Sequence, residues 1–490
     1  MTAVGLEIEL KLEAEPSDLE SVLQAPVFAD VTFSERAQHS TYFDTGDRAL
    51  RAAGLSLRVR RTGDRRVQTT KAEGTSAAGL FARPEWEREI LDDTPVLEAG
   101  EGPFASLLPE LTPAALAPVF TVEVRRRSAV LLHEGGEVEV VIDLGEVTLG
   151  SRSEPIAEAE LELRSGPSAA LFSLARAMNA VAPMRLGVQT KSERGYSLDS
   201  KKRRNKAVKA ESGVLRGEMT VAEAFARIAG ACLRQFRLNE AVLARTGGAD
   251  ALHQARVSIR RLRSAFSIFK PVLEDDRYAH FRGELRWLAA TLGEVRDIDV
   301  LLARFDGSAH VEKLTAERAR AYSDVSAALA SQRVRTLMID LAEWVAIGGW
   351  RERTTNAKLR ERAGDRFAAD ALDRLRRQIK RRGADLATLS DDERHEVRKL
   401  AKKLRYASEF FSGLFTGKKD VVRASRFIDA IADLQEELGG LNDLAHGSHV
   451  LAQLGIEVEP EEDAAGRRDA LITRAANAQL ALADARKFWR

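Results

Sequence analysis

The first 200 residues alternate between apolar and polar positions with the two-residue period of β-strands. The opening stretch LEIELKL puts its aliphatic side chains on one strand face and Glu7, Glu9 and Lys11 on the other. Similar runs occupy residues 39–45, 54–60, 66–71, 83–90, 120–130, 137–143 and 158–164. Short strands at this spacing, separated by Gly, Asp and Pro, predict an antiparallel sandwich or barrel.

Residues from about 211 onward have the periodicity of long amphipathic helices instead. They also contain an internal repeat, in which HQARVSIRRLRSAFSIF from His253 aligns without gaps with HEVRKLAKKLRYASEFF from His395. Further along, LGEVRDIDVLL (292–302) corresponds to LGGLNDLAHGS (438–448). The repeat predicts two helical bundles of the same design.

Charge divides the chain at the same place. Residues 1–200 hold 21 Lys and Arg against 32 Asp and Glu, whereas residues 201–490 hold 54 against 42. The change falls at the basic stretch KKRRNKAVK (201–209), which opens a predicted linker at 201–212. A chain of 490 residues has room for two cores, so we predict domains at 1–200 and 213–490.

The remaining composition restricts the setting. A single cysteine, Cys232, excludes an intramolecular disulfide and fits a reducing compartment. The N-terminal residues lack the basic and apolar regions of a secretion signal, and there is no uninterrupted apolar run of membrane-spanning length. These features predict a cytoplasmic protein without a membrane partner.

The polar strand faces are unusual because they carry charges in blocks. Glu158, Glu160 and Glu162 repeat the spacing of the opening motif, and other rows consist of arginines. Each row alone is typical of the solvated face of an antiparallel sheet. Together they favour a closed sheet with the charges inside, where carboxylates would bind a divalent cation and basic side chains would bind phosphate oxygens. Such a tunnel would hold a polyphosphate complexed with Mg²⁺ or Mn²⁺.

The motif Glu7-x-Glu9-x-Lys11 resembles the ExExK signature of the CYTH, or triphosphate tunnel metalloenzyme, superfamily. The resemblance continues in family order through YFDT (42–45), LSLRVRR (55–61), TTK (69–71), EWE (85–87), IDLGEV (142–147), EAELEL (158–163) and KSERGY (191–196). It implies an eight-stranded antiparallel barrel that hydrolyses a triphosphate with a divalent metal.

The resemblance also implies roles for individual residues. The expected catalytic residues are Glu7, Glu9, Lys11 and Glu87, and the expected metal ligands are Glu7, Glu9, Asp143, Glu158, Glu160 and Glu162. The expected substrate-binding residues are Lys11, Arg58, Arg60, Lys71, Arg125, Arg127, Lys191 and Arg194. Strand parity alone selects Arg125 and Arg127 over Arg126 as the arginines that point inward.

In the helical half, basic residues gather on one helix face. At about 100° per residue, His253, Arg256, Arg260 and Arg263 fall within an arc of about 80°, and no acid occurs from His253 to Lys270. A solvated face usually mixes both signs of charge, so this one favours an external polyanion. His253 and His395 also allow a metal site, although each copy offers only one histidine.

The helical motifs HxxRVxIRRLR, LGxxRDxDV, HxxRKxxKKLRY and LGxxND resemble the CHAD (conserved histidine α-helical) domain over about residues 215–490. This resemblance implies two pseudo-symmetric four-helix units that bind inorganic polyphosphate. The expected binding residues are His253, Arg256, Arg260, Arg261, Arg263, His395, Arg398, Lys399, Lys402, Lys403 and Arg405.

The sequence therefore predicts a metal-dependent triphosphatase that cleaves inorganic triphosphate to pyrophosphate and phosphate and also binds polyphosphate, with polyphosphate granules as a candidate location. Alternatives from the same superfamily are a nucleoside or thiamine triphosphatase and an adenylate cyclase. A barrel that binds polyphosphate without turnover is a further alternative. Nucleic-acid binding is disfavoured, because aromatic residues make up only 6% of the chain and are not interleaved with the arginines.

Overall fold

The computed structural model describes residues 4–97, 104, 111–198, 205–305, 310–456 and 464–490, which form two compact units. The first unit contains the N-terminal segment through Val208 together with Arg237–Ala251 and Ala327–Gly348. The second contains Lys209–Phe236, Leu252–Ser326 and Gly349–Arg490. Residues 199–204, at the predicted boundary and the start of the predicted linker, lie outside the described residues. Two segments from beyond residue 213 thus belong to the first unit.

The strands of the first unit form one antiparallel sheet. Their bounds are β1 Val4–Glu13, β2 Ser34–Asp44, β3 Leu55–Thr62, β4 Arg65–Ala72, β5 Thr75–Ala77, β6 Leu80–Glu89, β7 Ala117–His133, β8 Gly136–Leu149, β9 Arg152–Ser165 and β10 Arg185–Leu186.

Eight of these strands close into a barrel. The order is β1-β9-β8-β7-β2-β3-β4-β6, and β6 pairs back with β1. Across β1 and β9 the register sets Glu9 opposite Glu162 and Lys11 opposite Glu160. Closure leaves none of these eight strands with a free edge, and the predicted eight-stranded antiparallel barrel is confirmed.

The main core of the first unit lies outside the barrel, beneath its helices. These helices are α1 Pro16–Val22, α2 Ala49–Ala52, α3 Ala169–Val181 and α4 Lys191–Ser197. Helix α3 packs on β1, β8 and β9, and α1 packs on β9. On the apolar face of β1, Leu10 and Leu12 are completely buried, whereas Leu6 at the start of the strand is 66% exposed. Because the aliphatic face of β1 is turned outward toward helices, its charged face is turned inward.

One end of the barrel interior is apolar. Phe120, Val122 and Val124 of β7 belong to a cluster that Tyr196 of α4 joins. Gly195 permits this approach, because a Cβ atom there would lie only 2.2 Å from Cε2 of Phe120. Helix α4 begins with a capping box formed by Thr190 and Glu193, which fixes its start beside the barrel.

The remaining chain is helical, as predicted. Its helices are α5 Val221–Thr246, α6 Ala249–Leu273, α7 Tyr278–Arg304, α8 Val311–Ala330, α9 Gln332–Ile347, α10 Ala357–Arg360, α11 Gly364–Arg382, α12 Asp391–Phe411, α13 Lys418–Gln453 and α14 Ala464–Asp484. None of the described helices is both long enough and apolar enough to cross a membrane.

Aromatic side chains form the centre of the second unit. Phe225 lies 5.5 Å from Phe269 and 5.4 Å from Trp350 between ring centroids. Phe269 also lies 5.9 Å from Phe411, the residue with which the internal repeat aligns it. The two copies of the repeat thus meet through equivalent positions of helices α6 and α12.

Candidate functional site

The charged strand faces line one cavity of about 660 Å³ inside the barrel. Its wall contains the predicted residues Glu7, Glu9, Lys11, Arg58, Arg60, Lys71, Glu87, Glu160, Glu162 and Lys191. It also contains Arg36, Arg83, Glu85, Arg126, Glu139 and Arg164, which lie outside the predicted set. These rows are therefore not the solvated face of an open sheet.

Lys11 is the most deeply buried cation of this wall, with only 2% of the residue exposed. Its Nζ lies 2.9 Å from Glu158 Oε1 and 2.6 Å from Glu160 Oε1 on the neighbouring strand β9. Burial lowers the pKa of Lys11, but attraction to Glu158, Glu160 and Glu9 outweighs burial and holds that pKa well above its ordinary value. Lys11 is thus a fixed positive charge.

The carboxylates of Glu7 and Glu9 share cationic partners. Arg83 Nη2 lies 3.2 Å from Glu7 Oε2 and 3.3 Å from Glu9 Oε2. Lys71 Nζ donates to Glu7 Oε1 at 2.6 Å. Burial lowers the pKa of Arg83, and the two carboxylates more than offset it, so the pKa is raised. Repulsion along the β1 row is therefore relieved by neighbouring strands.

A second acidic group lies where β8, β9 and α4 meet. One carboxylate oxygen from each of Asp143, Glu158 and Glu160 lies within 4.8 Å of the others. Lys191 Nζ is 2.7, 2.6 and 2.8 Å from these three carboxylates in that order. Burial raises the pKa of Glu160, but Lys11, Lys191 and nearby Arg126 hold it well below its usual value. The carboxylate of Glu160 is therefore ionised.

The donors present suit a hard divalent cation. Carboxylate oxygens are the preferred ligands of Mg²⁺ and related ions. Glu9 Oε1 and Glu158 Oε2 are buried without a hydrogen-bond partner among the described residues. A buried carboxylate oxygen without a hydrogen bond costs free energy that a bound cation would recover. The acidic side of the cavity fits a metal.

The opposite part of the wall has an excess of guanidinium groups. Arg58 and Arg60 project from β3 toward the cavity, where Arg60 Nη2 lies 3.0 Å from Glu87 Oε1. Repulsion from Arg58, followed by burial, lowers the pKa of Arg60 to about 10. Thr69 Oγ1 donates to the same carboxylate oxygen at 2.8 Å, so Glu87 fixes the position of Arg60. This cationic surface suits phosphate oxygens.

Glu162 differs from the other wall carboxylates in its proton affinity. Burial raises its pKa to about 7, helped by repulsion from Glu7 and Glu139 and opposed by Arg164. Glu162 therefore carries a full charge only above about pH 7, unless a cation binds beside it.

The parity prediction for β7 is wrong. Arg126 lines the cavity and forms a bidentate pair with Asp143, at 2.8 Å from Nε and 2.6 Å from Nη2. Arg125, whose side chain is 52% exposed, and Arg127 lie on the outer face and pair with Glu20 and Glu35.

The physical reason is that the inward row of β7 changes character along the strand. It begins with the apolar residues Phe120, Val122 and Val124 at the closed end of the barrel and continues into Arg126 in the cavity. The rule that the charged row faces inward therefore fails here. The alternation that starts from Val122 and Val124 is the sequence signal that would have selected Arg126.

Three predicted residues lie behind the wall. Asp143 and Glu158 are fully buried and reach the cavity only through Lys11, Lys191 and Arg126. Arg194 pairs with Glu13 and Glu154 on neighbouring strands, and it is not among the residues that line the cavity.

Within the second unit, basic residues from both repeats form one group. Arg256 and Arg260 of α6 lie near Arg398 and Lys402 of α12, and we call these four residues the central cluster. Burial, followed by repulsion from Arg398, Arg260 and Arg256, lowers the pKa of Lys402 to about 7, against attraction to Asp443. An unliganded cluster of this kind is electrostatically strained and favours an anion.

Other predicted residues of the helical half have partners inside the protein. Arg261 is buried, pairs with Glu409 and lies over the Phe410 ring at 4.8 Å. The remaining partner pairs are Lys399 with Glu396 at 2.7 Å, Lys403 with Ser267 at 2.8 Å, Arg405 with Glu409 at 2.9 Å and His395 with Asn442 at 2.9 Å. His253 is half-buried on α6.

The fold and its sites define a protein with a charged antiparallel barrel followed by a helical region with a basic cluster. Comparison with known families agrees: residues 5–196 match the CYTH domain, and residues 227–452 match the CHAD domain. The chain belongs to the proteins in which a CYTH domain is followed by a CHAD domain.

Individual relatives match parts of the chain. An inorganic triphosphatase from Haemophilus influenzae is 29% identical over 199 residues, which are 40% of this chain and 55% of that protein, so the chain spans about half the length of this relative. The crystal structure of the CHAD domain from Ricinus communis is 28% identical and covers 57% of this chain and 93% of that one, with a TM-score of 0.45. A Hippeastrum protein, studied as an adenylyl cyclase with a dominant triphosphatase activity, is 20% identical over 39% of this chain and 96% of that one, with a TM-score of 0.29.

Proposed function

We propose that the barrel hydrolyses inorganic triphosphate to pyrophosphate and phosphate with the help of Mg²⁺ or Mn²⁺. The observation that carries the proposal is a single cavity whose wall combines ionised carboxylates with an excess of guanidinium and ammonium groups. A triphosphate needs both, because its oxygens bind cationic side chains while its metal binds carboxylates. The similarity to an inorganic triphosphatase supports the same reaction.

The side chains of the cavity would act by position and charge. Arg58, Arg60 and Arg126 would bind phosphoryl oxygens and stabilise the charge that spreads over them in the transition state. Glu87 would keep Arg60 oriented through its hydrogen bond. Lys11 and Lys191 are held by the acidic group and would neutralise the end of the chain near the metal.

Glu7, Glu9, Glu160 and Glu162 are the wall carboxylates that would hold the metal, with Asp143 and Glu158 behind them. When bound, such an ion lowers the pKa of water and neutralises phosphate charge. The carboxylates themselves would orient the cation, and contacts with Lys71 and Arg83 hold Glu7 and Glu9 in place.

A nucleoside triphosphate, thiamine triphosphate and an adenylate cyclase reaction are the alternatives. Each would need a pocket for an aromatic ring, whereas the described wall is mainly charged, with Tyr42 as its aromatic member. A barrel that binds polyphosphate without cleaving it is a further alternative.

A phosphate-release assay tests the proposal with the full chain. Inorganic triphosphate, ATP and thiamine triphosphate are compared with Mg²⁺, with Mn²⁺ and with a chelator. We expect fast release from inorganic triphosphate only when a divalent metal is present. A preference for ATP, or equal rates with the chelator, would contradict the proposal.

We propose in addition that the helical half binds inorganic polyphosphate at the central cluster, in the cytoplasm and at polyphosphate granules. Its support is the convergence of cations from both repeats, Arg256 and Arg260 with Arg398 and Lys402. Replacing both Arg260 and Arg398 by Ala should weaken binding of long-chain polyphosphate and flatten its dependence on salt. Tighter binding of duplex DNA at equal charge concentration would assign this region to nucleic acid instead.

A further inference from the structure

The two repeats of the helical half differ in charge away from the central cluster. In the first repeat, helices α6 and α7 form an antiparallel pair whose register is fixed at both ends. Arg256 Nη2 lies 4.0 Å from Asp297 Oδ1, and Tyr278 Oη donates to the Phe266 carbonyl at 3.2 Å. Between these two contacts, residues of α6 lie opposite residues of α7 in antiparallel order. Arg263 therefore faces the turns of α7 that carry Arg282 and Arg286.

Arg263, Arg282 and Arg286 form what we call the arginine arm. Arg282 and Arg286 are exposed and stand four residues apart, on neighbouring turns of one helix face. Burial, then repulsion from Arg286 and Arg282, lowers the pKa of Arg263, and no carboxylate is among the causes. No ion pair to these three arginines is found among the described residues. Like charges at this spacing destabilise a helix.

The described part of the second repeat has no such arm. Gln435 Nε2 donates to the Ala401 carbonyl at 2.9 Å, which sets the register of α12 against α13. In that register Arg405, the counterpart of Arg263, faces Ile428 and Ala432, the counterparts of Arg282 and Arg286. Arg405 Nε also donates a hydrogen bond to Glu409 Oε1 at 2.9 Å.

The difference lies in a few substitutions within an otherwise repeated design. The first repeat has Ser267 where the second has Glu409, so Arg263 lacks the internal carboxylate that neutralises Arg405. A surface that keeps three mutually repelling cations, while its repeat neutralises the equivalent position, has the properties of a site for an external anion.

We infer that the arginine arm is a second phosphate-binding segment, which takes a linear polyphosphate onward from the central cluster along α6 and α7 and not along α12 and α13. This inference rests on the proposed polyphosphate binding. A long chain would then occupy the helical half in one direction, and a short oligophosphate would occupy the central cluster alone. The arm would contribute affinity only for chains long enough to reach it.

The test uses the full-length protein with chelator present, and measures affinity for long-chain polyphosphate and for tripolyphosphate across a salt series. Arg282→Ala with Arg286→Ala should weaken long-chain binding at least about 10-fold and lower the slope against log salt by about 2. Affinity for tripolyphosphate, and its hydrolysis with metal, should not change. The matched control is Arg423→Ala with Arg474→Ala, which removes two arginines already paired with Asp420 and Glu437. It should bind nearly as well as the unmodified protein.

A variant designed to bind long-chain polyphosphate more tightly provides a second test. Ile428→Arg with Ala432→Arg copies the two α7 arginines of the arm onto the second repeat, leaves the pair of Arg261 with Glu409 intact, and should strengthen long-chain binding. Wild-type affinity and slope in the Arg282/Arg286 variant would overturn the inference while leaving the proposed function standing. Wild-type binding of polyphosphate in the Arg260/Arg398 variant would instead contradict the proposed binding at the central cluster. If the Arg282/Arg286 variant lost affinity for duplex DNA and kept its affinity for polyphosphate, the inference would also be overturned.

Discussion

At the scale of single residues, the barrel is a network in which almost every charge has a partner of opposite sign. Glu9 shows what this arrangement implies, because it is 4% exposed and one of its oxygens lacks a hydrogen bond among the described residues. A buried carboxylate of this kind is costly unless a cation completes its surroundings. The network therefore suits a cation in addition to its own lysines and arginines.

Glu9→Gln should preserve the shape of the cavity and remove one negative charge. We expect hydrolysis of inorganic triphosphate to fall by about 100-fold or more, because a proposed metal ligand and the charged partner of Arg83 are both lost. The measurement is phosphate release, with circular dichroism melting to confirm folding. Glu123→Gln, on the exposed outer face, is the matched control and should retain activity. Near-normal turnover in Glu9→Gln would contradict its role.

The three consecutive arginines of β7 provide a second comparison. Arg126→Ala removes the bidentate partner of Asp143 and a cavity cation, so kcat/KM for triphosphate should fall by about 100-fold. Arg125→Ala removes only an exposed cation near Glu20, and an exposed ion pair contributes at most about 1 kcal/mol. Equal kcat/KM values for the two variants would refute the inward position of Arg126.

At the scale of elements, the internal repeat brings two helices together to make one cationic surface. Helices α6 and α12 each supply two members of the central cluster, and their aromatic residues Phe269 and Phe411 contact each other in the core. The pKa of Lys402 is lowered to about 7 by burial, by Arg398 of its own helix, and by Arg260 and Arg256 of the other helix. Proton binding at Lys402 thus reports the meeting of both repeats.

Polyphosphate binding should consequently depend on pH. Lys402, with its pKa lowered to about 7, is neutral in the free protein at pH 8 and gains its charge as the pH falls to 6. Affinity for polyphosphate should therefore rise as pH falls through this range, with proton uptake on binding. Lys402→Arg keeps the charge at all these pH values and should remove this part of the dependence, while any contribution from His253 or His395 persists. Isothermal titration in buffers of different ionisation enthalpy measures the uptake, and an unchanged profile in Lys402→Arg would contradict the assignment.

At the scale of the whole molecule, the compact units do not follow the order of the chain. Helix α9 packs against α3, where Arg176 donates to both oxygens of Glu343 at 3.1 and 3.2 Å. Arg237 of α5 donates to the Leu186 carbonyl at 2.9 Å. Both helical segments belong to the same unit as the barrel. The CYTH barrel therefore relies on residues that follow it by more than 100 positions.

A fragment that ends near Ser200 should fold less stably than the unit to which it belongs. Removing α9 exposes the surface of α3 that carries Arg176 and Asn179. The hydrogen bonds of these two residues to Glu343 and Thr336 are then lost. We expect a lower melting temperature and aggregation on warming, because apolar surface beneath α9 becomes exposed. A full-length chain with Arg176→Ala is the control for the ion pair alone. A fragment as stable as the full chain would show that α9 adds little.

Much of this protein is determined locally. The two-residue period of LEIELKL and of the strand at 158–164 specifies strands with one charged face, and the repeat from His253 and His395 specifies paired helices. The ExExK spacing also predicts that Glu7, Glu9 and Lys11 share a face, because alternate residues of a strand always do. These conclusions need only the geometry of the local backbone.

The tertiary structure decided which face points where and which charges meet. Arg126, and not its neighbours, enters the cavity because it shares a strand face with Phe120, Val122 and Val124, and the closed barrel turns that face inward. Asp143 meets Lys191 and Glu160 because β8, β9 and α4 converge, although these residues lie far apart in sequence. Pairing between distant segments depends on packing that no local period encodes. The sequence by itself therefore determined the elements and their charged faces, and the fold decided the partners.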